Sequence, residues 1–152
     1  MQRHDLSQLD APFDEEEIKE AVFSMPSVKA PGPDGFIGAF FKSCWEIIKT
    51  DVVAAILQLA DLRGDCAGLI NSANIILLPK KVDATRIGDY RPISLIHSIS
   101  KIFSKLLANR LAPLIPTLVS KSQSAFVKKR CIHDNFLHVQ NLVKELHRTS
   151  TP

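Results

Sequence analysis

The chain has 152 residues, of which 45% are hydrophobic, and its formal net charge at pH 7 is +3. This length fits one domain of ordinary size, and this apolar content excludes a wholly disordered protein. No apolar run approaches the roughly 20 residues of a membrane helix, and no signal-peptide pattern opens the chain. We therefore expect an intracellular protein, nuclear or cytoplasmic, without a membrane partner.

The charges are unevenly distributed along the chain. Residues 1–65 carry six Lys or Arg against 12 Asp or Glu, whereas residues 66–152 carry 13 against four. A cationic half indicates a polyanionic partner. The same lysines also fit solvated helix faces, and the charge pattern alone favours that second interpretation.

The three cysteines are Cys44, Cys66 and Cys131. They lie far apart and form no CxxC pair, so neither a zinc site nor a disulfide framework is expected. We expect all three thiols to be reduced and mostly buried.

The chain begins with a polar segment, residues 1–12, that we interpret as a linker. A short helix is predicted in "FDEEEIKEAVFSM", residues 13–25, because Asp14 can cap it and three glutamates suit the positive end of the helix dipole. Pro26 ends this helix. Its apolar stripe consists of Ile18, Ala21, Val22 and Met25.

Residues 29–36, "KAPGPDGF", contain two prolines and two glycines. The prolines fix two φ values, the glycines permit turns that a side chain would block, and Asp34 can cap the helix that follows. Lys29 then projects from a rigid corner. These eight residues alone fit two roles: a corner between helices with a solvated Lys29, or a preorganised corner that places Lys29 against phosphate.

Two helices are predicted between residues 36 and 64, with Asp51 as the cap of the second and Gly64 as its end. Apolar residues recur there at helical spacing, and we assign them to the core rather than to a base-stacking platform. They are Phe36, Phe40, Phe41, Cys44, Trp45, Ile48, Val52, Ile56, Leu59 and Leu62.

A continuous apolar run, Ile75–Leu78, predicts a buried strand that ends at Pro79. The loop after it presents Lys80 and Lys81. A second short strand is predicted near Arg91–Leu95, where the proline after Arg91 biases the backbone to extended geometry. Together these segments predict a hairpin with cations at its tip.

The rest of the chain is predicted to be helical on both sides of a basic turn region, "SKSQSAFVKKRCIHDN", residues 120–135. One helix begins at Ser98 or Ser100 and is ended by Pro113 and Pro116, and the last helix begins at Asp134. The residues expected to face inward from the last helix are Phe136, Val139, Val143 and Leu146. The sequence therefore predicts one α+β domain, mostly helical, with a small antiparallel sheet.

No catalytic constellation emerges from these segments. There is no GxSxG, HExxH or GxxxxGK[ST] pattern, so we assign neither catalytic nor metal-binding residues. Cations cluster instead, and lysine and arginine are the side chains that bind triphosphates and nucleic-acid backbones. The clusters are Lys80 with Lys81, Arg91, and the run Lys128, Lys129 and Arg130.

The order of these segments resembles the amino-terminal part of a reverse transcriptase from plant LINE-type retrotransposons, which lack long terminal repeats. The resemblance rests on "KAPGPDGF", "FFKSCW", "ILLPKK", "DYRPISL", "KIFSKLLANRL", "SQSAFV" and "RCIHDN", and it covers about residues 12–147. It implies that residues 13–152 are the fingers portion of a right-hand polymerase, with the palm missing.

The same resemblance implies roles for individual residues and partners. Lys80 and Arg91 match positions that face the triphosphate of the incoming nucleotide. Contacts to nucleic acid are implied for Lys29, Lys81, Gln123, Lys128, Lys129 and Arg130. The family usually has Gly-Arg where this chain has Lys129-Arg130, and a lysine is strained at a positive φ that a glycine accepts. The implied partners are an RNA template, a DNA primer and a deoxynucleoside triphosphate.

Polymerase chemistry requires carboxylates that hold two metal ions, and the family's catalytic aspartates are not found in these 152 residues. We therefore expect no cofactor in this chain, magnesium in the complete polymerase, and no polymerisation by the chain alone. Three hypotheses remain. The chain is a fingers fragment of an RNA-directed DNA polymerase, a non-catalytic nucleic-acid-binding remnant, or a decayed fragment that folds poorly because Ile75, Leu77 and Ile93 lack a packing partner.

Overall fold

The computed structural model describes residues 6, 9–61, 68, 70–120, 123–125 and 127–149. Its elements are helices α1 (Glu15–Ser24), α2 (Gly38–Ser43) and α3 (Trp45–Asp61), strands β1 (Ala73–Pro79) and β2 (Tyr90–Ile96), and helices α4 (Ser98–Leu111), α5 (Ile115–Leu118) and α6 (Ile132–Thr149). The described residues confirm a mostly helical α+β chain with a small antiparallel sheet. They fall into two compact units: an amino-terminal unit that spans residues 7–109, and a carboxy-terminal unit that begins at Arg110 and also includes Leu6.

Helix α1 forms where the sequence predicts it. The Asp14 carboxylate accepts a hydrogen bond of 2.8 Å from the backbone N–H of Glu17, which satisfies one of the unpaired donors of the first turn. Ile18, Ala21 and Val22 are buried on one face, and Met25 packs against them in part. The capping, the acidic first turn and the apolar stripe are therefore confirmed.

The core of the amino-terminal unit lies between α1, α2, α3 and α4. Phe41 and Trp45 are buried in it, which confirms a packing role for these aromatic residues, although Phe36 is 45% exposed. The buried members of the core are Phe13, Ile18, Ala21, Val22, Phe41, Trp45, Val52, Ile56, Ile102 and Leu106.

The prediction that Asp51 caps the second of the two helices is wrong. Helix α3 begins at Trp45, immediately after α2, so Asp51 lies beyond its first turn. Only the first four N–H groups of a helix lack an internal acceptor, and a carboxylate at that position has none of them to cap. Gly64, the predicted end of this helix, lies outside the described residues.

Strands β1 and β2 form the predicted antiparallel hairpin, with Leu78 opposite Arg91 and Pro79 opposite Tyr90. The prediction that β1 is buried is wrong, because every residue of β1 is exposed, Ile75 by 67% and Leu77 by 49%. An apolar run of this kind is typical of a strand covered on both faces. Within the described part of the chain, the two strands pack chiefly against each other.

Helix α4 begins at Ser98, as predicted, and ends at Leu111. Pro113 follows that end, whereas Pro116 lies in the first turn of α5, where a missing N–H costs no helical hydrogen bond. Among the described residues, no helix combines the length and apolar character needed to cross a bilayer.

Helix α6 begins at Ile132, two positions before the predicted start at Asp134. The prediction that its apolar stripe faces inward is wrong, since the stripe is exposed along its length. The exposed residues are Phe136, Val139, Val143 and Leu146. Helical spacing fixes which residues share a face, but burial requires a second surface.

The cysteine prediction holds in part. Cys44 and Cys131 are free thiols, but Cys44 is only half-buried and Cys131 is exposed, so the expected burial is wrong for both. Cys131 lies directly before α6, at a helix end that remains at the surface. Cys66 lies outside the described residues.

Candidate nucleotide and nucleic-acid interface

The corner at residues 29–36 is fastened to the junction between β2 and α4. A Cβ atom at Gly32 would collide with the backbone carbonyl of Ile96, so only glycine permits this approach. The Ser98 hydroxyl donates to the carbonyl of Phe36 at 2.9 Å, and Lys101 Nζ donates to the carbonyl of Ala30 at 3.3 Å. The corner is therefore part of the fold of the amino-terminal unit.

Asp34 caps a different helix from the one predicted. The helix that follows the corner, α2, has Ile37 at its N-cap and receives no side-chain bond there. The Asp34 carboxylate instead accepts a hydrogen bond from the backbone N–H of Ser98, the first residue of α4. The sequence reveals a capping residue, but its partner lies 64 positions away and is chosen by the tertiary structure.

Lys29, at the start of the corner, is exposed. Within the described part of the chain its ammonium group has no hydrogen-bond or ion-pair partner. The corner therefore presents one solvated cation from a rigid backbone. An exposed ammonium group of this kind can bind a phosphate or remain solvated by water.

The tip of the hairpin is organised by Asp89, which the sequence analysis did not single out. Its carboxylate binds Lys81 Nζ at 2.9 Å and accepts from the backbone N–H of Arg86 at 3.2 Å. The bond to Lys81, followed by that to Arg86, holds the pKa of Asp89 below its usual value. A lone aspartate in a polar turn is the only signal in the sequence, and it does not identify Lys81 as the partner.

Lys80 and Arg91 lie on the same face of the hairpin. Leu78 is directly opposite Arg91, and Lys80 is two residues beyond Leu78, with its N–H bonded to the carbonyl of Asp89 at 2.7 Å. Because side chains alternate between faces, Lys80 and Arg91 are diagonal neighbours. The predicted nucleotide-binding pair is thus brought together by the register.

The two cations of this pair differ in their bonding. Lys80 Nζ donates to the carbonyl of Gly88 at 2.7 Å, which ties the lysine to the loop of its own hairpin. The Arg91 side chain is exposed, and no described residue forms a hydrogen bond or ion pair with its guanidinium group. Arg91 therefore offers a complete guanidinium fork to an anion.

The basic segment of the carboxy-terminal unit, residues 120–131, is held together by Arg130. One guanidinium nitrogen, Nη1, donates to the carbonyls of Ser120 and Gln123, at 2.6 Å each. Gln123, Lys128 and Lys129 are exposed, whereas Arg130 is half-buried. The predicted nucleic-acid contacts in this segment therefore divide into exposed residues and one arginine that braces the loop.

Lys129 adopts a left-handed backbone conformation with φ of 66°. The reverse transcriptases that the sequence resembles usually have glycine at this position. The positive φ therefore places a lysine in the backbone conformation for which strain is predicted. A non-glycine residue in this region costs about 1–2 kcal/mol because its Cβ approaches the following carbonyl.

We expect Lys129→Gly to stabilise the carboxy-terminal unit. The relief of strain exceeds the added entropy of the unfolded chain, so the net gain in unfolding free energy is about 1 kcal/mol. Urea denaturation checks this value. Lys128→Gly is the matched control, because Lys128 has no positive φ and the same substitution should destabilise. Equal effects at the two positions would contradict the strain at Lys129.

The described residues contain no group of three His, Cys, Asp or Glu side chains that could hold a metal ion. The two carboxylates that organise the sites, Asp34 and Asp89, are each committed to backbone N–H groups. The corner, the hairpin tip and the basic segment therefore each present cations and backbone groups, which are groups that suit the binding of anions.

Comparison with known proteins gives the sequence a context. No protein-family model matches the chain. The chain is 32% identical over 141 residues, or 93% of its length, to an uncharacterized 149 kDa protein of transposon TX1 from Xenopus laevis. It is 27% identical over 132 residues to a Pol polyprotein of the retrotransposable element R1 from Bradysia coprophila, and 35% identical over 103 residues to a probable RNA-directed DNA polymerase of transposon BS from Drosophila melanogaster.

The chain spans only 11–13% of the length of these relatives. The longest of these matches nonetheless runs through the corner, the hairpin and the basic segment, since it leaves only 7% of the chain uncovered. The chain is thus homologous to proteins of retrotransposons that lack long terminal repeats, several of which carry Pol or RNA-directed DNA polymerase in their names.

Proposed function

We propose that this chain is the fingers part of an RNA-directed DNA polymerase of such a retrotransposon and supplies contacts to the template and the incoming nucleotide. The observation that carries the proposal is the hairpin tip, where the exposed fork of Arg91 is a diagonal neighbour of Lys80. A planar guanidinium group and a compact ammonium group on one face suit a triphosphate.

Arg91 is the primary triphosphate contact in this proposal. Its fork binds phosphate oxygens without first breaking a bond to the protein, and a preorganised donor stabilises the charge that develops on the leaving pyrophosphate. Lys80 also binds the triphosphate once a phosphate oxygen replaces the carbonyl of Gly88 as the acceptor for Nζ. An ammonium group forms a stronger hydrogen bond with a charged phosphate oxygen than with a neutral carbonyl oxygen.

The proposed contacts to template and primer are electrostatic. Lys29, Lys128 and Lys129 are exposed and suit the phosphate backbone, and Gln123 can donate to either phosphate or base. Lys81 is paired with Asp89 and Arg130 with two backbone carbonyls, so we assign these two residues to holding the loops that present the others.

Magnesium would be held by carboxylates of the polymerase that are not among the residues of this interface. We therefore derive no catalytic step from this chain and assign it binding and orientation alone. A nucleic-acid-binding module without catalysis is the second candidate function. The exposed lysines of residues 128–129 favour it, since they fit a backbone contact that needs no nucleotide.

The test is the affinity of the chain for a labelled RNA–DNA primer–template, measured by fluorescence anisotropy across a salt series. We expect the affinity to fall as salt rises, and Lys128→Ala to reduce the slope of log K against log salt by about 1. Lys105→Ala is the matched control, because Lys105 is an exposed lysine on α4 outside the interface. Binding that does not respond to salt would contradict the phosphate contacts.

A further inference from the structure

Two adjacent lysines at the hairpin tip are bonded to acceptors of different charge. Lys80 Nζ donates to the carbonyl of Gly88 at 2.7 Å, and Lys81 Nζ lies 2.9 Å from the carboxylate of Asp89. A carbonyl is neutral, so Lys80 keeps its positive charge, whereas the charges of Lys81 and Asp89 cancel. The sequence contains two lysines of the same type, but only Lys80 adds a net charge to the tip.

Asp89 is held in place by the loop as well as by Lys81. Its Oδ1 atom binds Lys81, while Oδ2 accepts from the backbone N–H groups of Arg86 at 3.2 Å and Thr85 at 3.4 Å. The side chain of Asp89 is only 21% exposed, against 59% for Lys81. The low pKa of Asp89, caused first by Lys81, keeps the carboxylate ionised at neutral pH. If Lys81 moves away, an ionised carboxylate therefore stays behind.

An anion gains little from Lys81 while Asp89 is charged. When a phosphate attracts Lys81, the ion pair breaks, and the carboxylate that remains repels the phosphate. Lys80 differs because its acceptor is a neutral carbonyl, and a phosphate oxygen is a stronger acceptor for an ammonium group. The tip thus contains one lysine that is available to phosphate and one that is not.

We propose that Asp89 keeps Lys81 from phosphate and so limits the hairpin tip to two phosphate-binding cations, Lys80 and Arg91. This inference rests on the proposed function and deepens it, since it names the residue that sets how many phosphates the tip neutralises. Each phosphate that a protein neutralises strengthens its binding to a nucleic-acid backbone. Asp89 therefore weakens the binding of backbone at the tip, where a bound strand would compete with the nucleotide.

The test is the binding of a fluorescein-labelled, single-stranded oligouridine RNA to the full chain, measured by anisotropy across a salt series. We expect Asp89→Asn to tighten binding about three- to tenfold at low salt, which is the effect of one unit charge a few ångströms from a phosphate. The slope of log K against log salt should steepen by about 0.7, the value for one more neutralised phosphate on a single strand.

The substitution is chosen to keep the loop intact. Asparagine retains an oxygen that can accept from the N–H groups of Thr85 and Arg86. Asp89→Ser covers the case in which asparagine disturbs the loop, because its hydroxyl also accepts from a backbone N–H and carries no charge. The same gain in affinity and slope is expected for this variant.

Two controls separate the release of Lys81 from a general change of charge. Asp83→Asn removes a carboxylate of the same loop that is exposed and forms no ion pair with any described residue, so its effect should be less than half that of Asp89→Asn. Lys81→Met combined with Asp89→Asn removes the released lysine, so the double variant should return to the native affinity and slope.

The possible results distinguish this inference from the proposed function. Native binding that falls with salt, together with an unchanged slope for Asp89→Asn and Asp89→Ser, would overturn the inference alone. Equal effects of Asp83→Asn and Asp89→Asn, or a double variant that binds RNA as tightly as Asp89→Asn, would also overturn it. Native binding that does not respond to salt would overturn the proposed function and this inference together.

Discussion

Replacement of Arg91 by alanine is expected to raise the apparent KM for the deoxynucleoside triphosphate by about 10- to 150-fold in the polymerase to which we propose that this chain contributes. A hydrogen bond to a charged group is worth about 1.5–3 kcal/mol, which corresponds to that range. The stability of the fold should change little, because Arg91 is exposed and no described side chain bonds to it. Steady-state kinetics with varied nucleotide, alongside urea denaturation, separate the two effects.

Two further variants sharpen this prediction. Arg91→Lys keeps the charge and loses the planar fork, so it should recover only part of the affinity. Lys105→Ala removes an exposed cation of α4 and should leave the KM unchanged. If Arg91→Ala leaves the KM for nucleotide at its native value, the assignment of Arg91 to the triphosphate is wrong.

Gly32→Ala is expected to lower the free energy of unfolding of the amino-terminal unit by about 2–3 kcal/mol. The added methyl group would meet the carbonyl of Ile96, a backbone atom that cannot move aside without shifting β2. The shift would also strain the bond between Asp34 and the first N–H of α4. Because β2 carries Arg91, the substitution should disturb the hairpin tip as well as the stability.

Gly88→Ala is the matched control for Gly32→Ala. A Cβ at Gly88 would meet no atom within 4 Å, and Gly88 has no positive φ, so the cost should remain within about 0.5 kcal/mol. Urea denaturation monitored by the fluorescence of the buried Trp45 reports on the unit that contains both glycines. Similar costs at the two positions would show that the corner is not closely packed against β2.

Local signals in the sequence predicted the elements well. Asp14 and the three glutamates identify the start of α1, and the apolar run before Pro79 identifies β1, because capping and strand propensity act within a few residues. The sequence also predicts the cations of the hairpin tip. Lys80 and Arg91 become neighbours because the two strands are close in sequence and pair in an antiparallel register. The strain at Lys129, whose φ is 66°, is indicated only by the resemblance to a family that usually has glycine there.

The sequence did not predict which apolar residues are buried, nor which distant residues form hydrogen bonds with each other. The stripe of α6 has helical spacing yet is exposed, and Ile75 is in a strand yet is 67% exposed. Both patterns state which residues share a face, and neither states whether another surface covers that face. The sequence identifies Asp34 as a helix cap. Its carboxylate accepts from the N–H of Ser98 in α4, however, and not from the helix that follows the corner.

The sequence by itself therefore determined that the main helices and the hairpin exist and which cations stand near a strand end, although it misplaced the start of α3 and, by two residues, that of α6. These features depend on backbone preferences and side-chain spacing over a few residues. Only the tertiary structure decided that Gly32 and Asp34 join the corner to β2 and α4, that Asp89 binds Lys81, and that no described residue bonds to the guanidinium group of Arg91. The corner contacts depend on which distant backbone groups meet, and the contact of Asp89 with Lys81 depends on the conformation of the loop between the two strands.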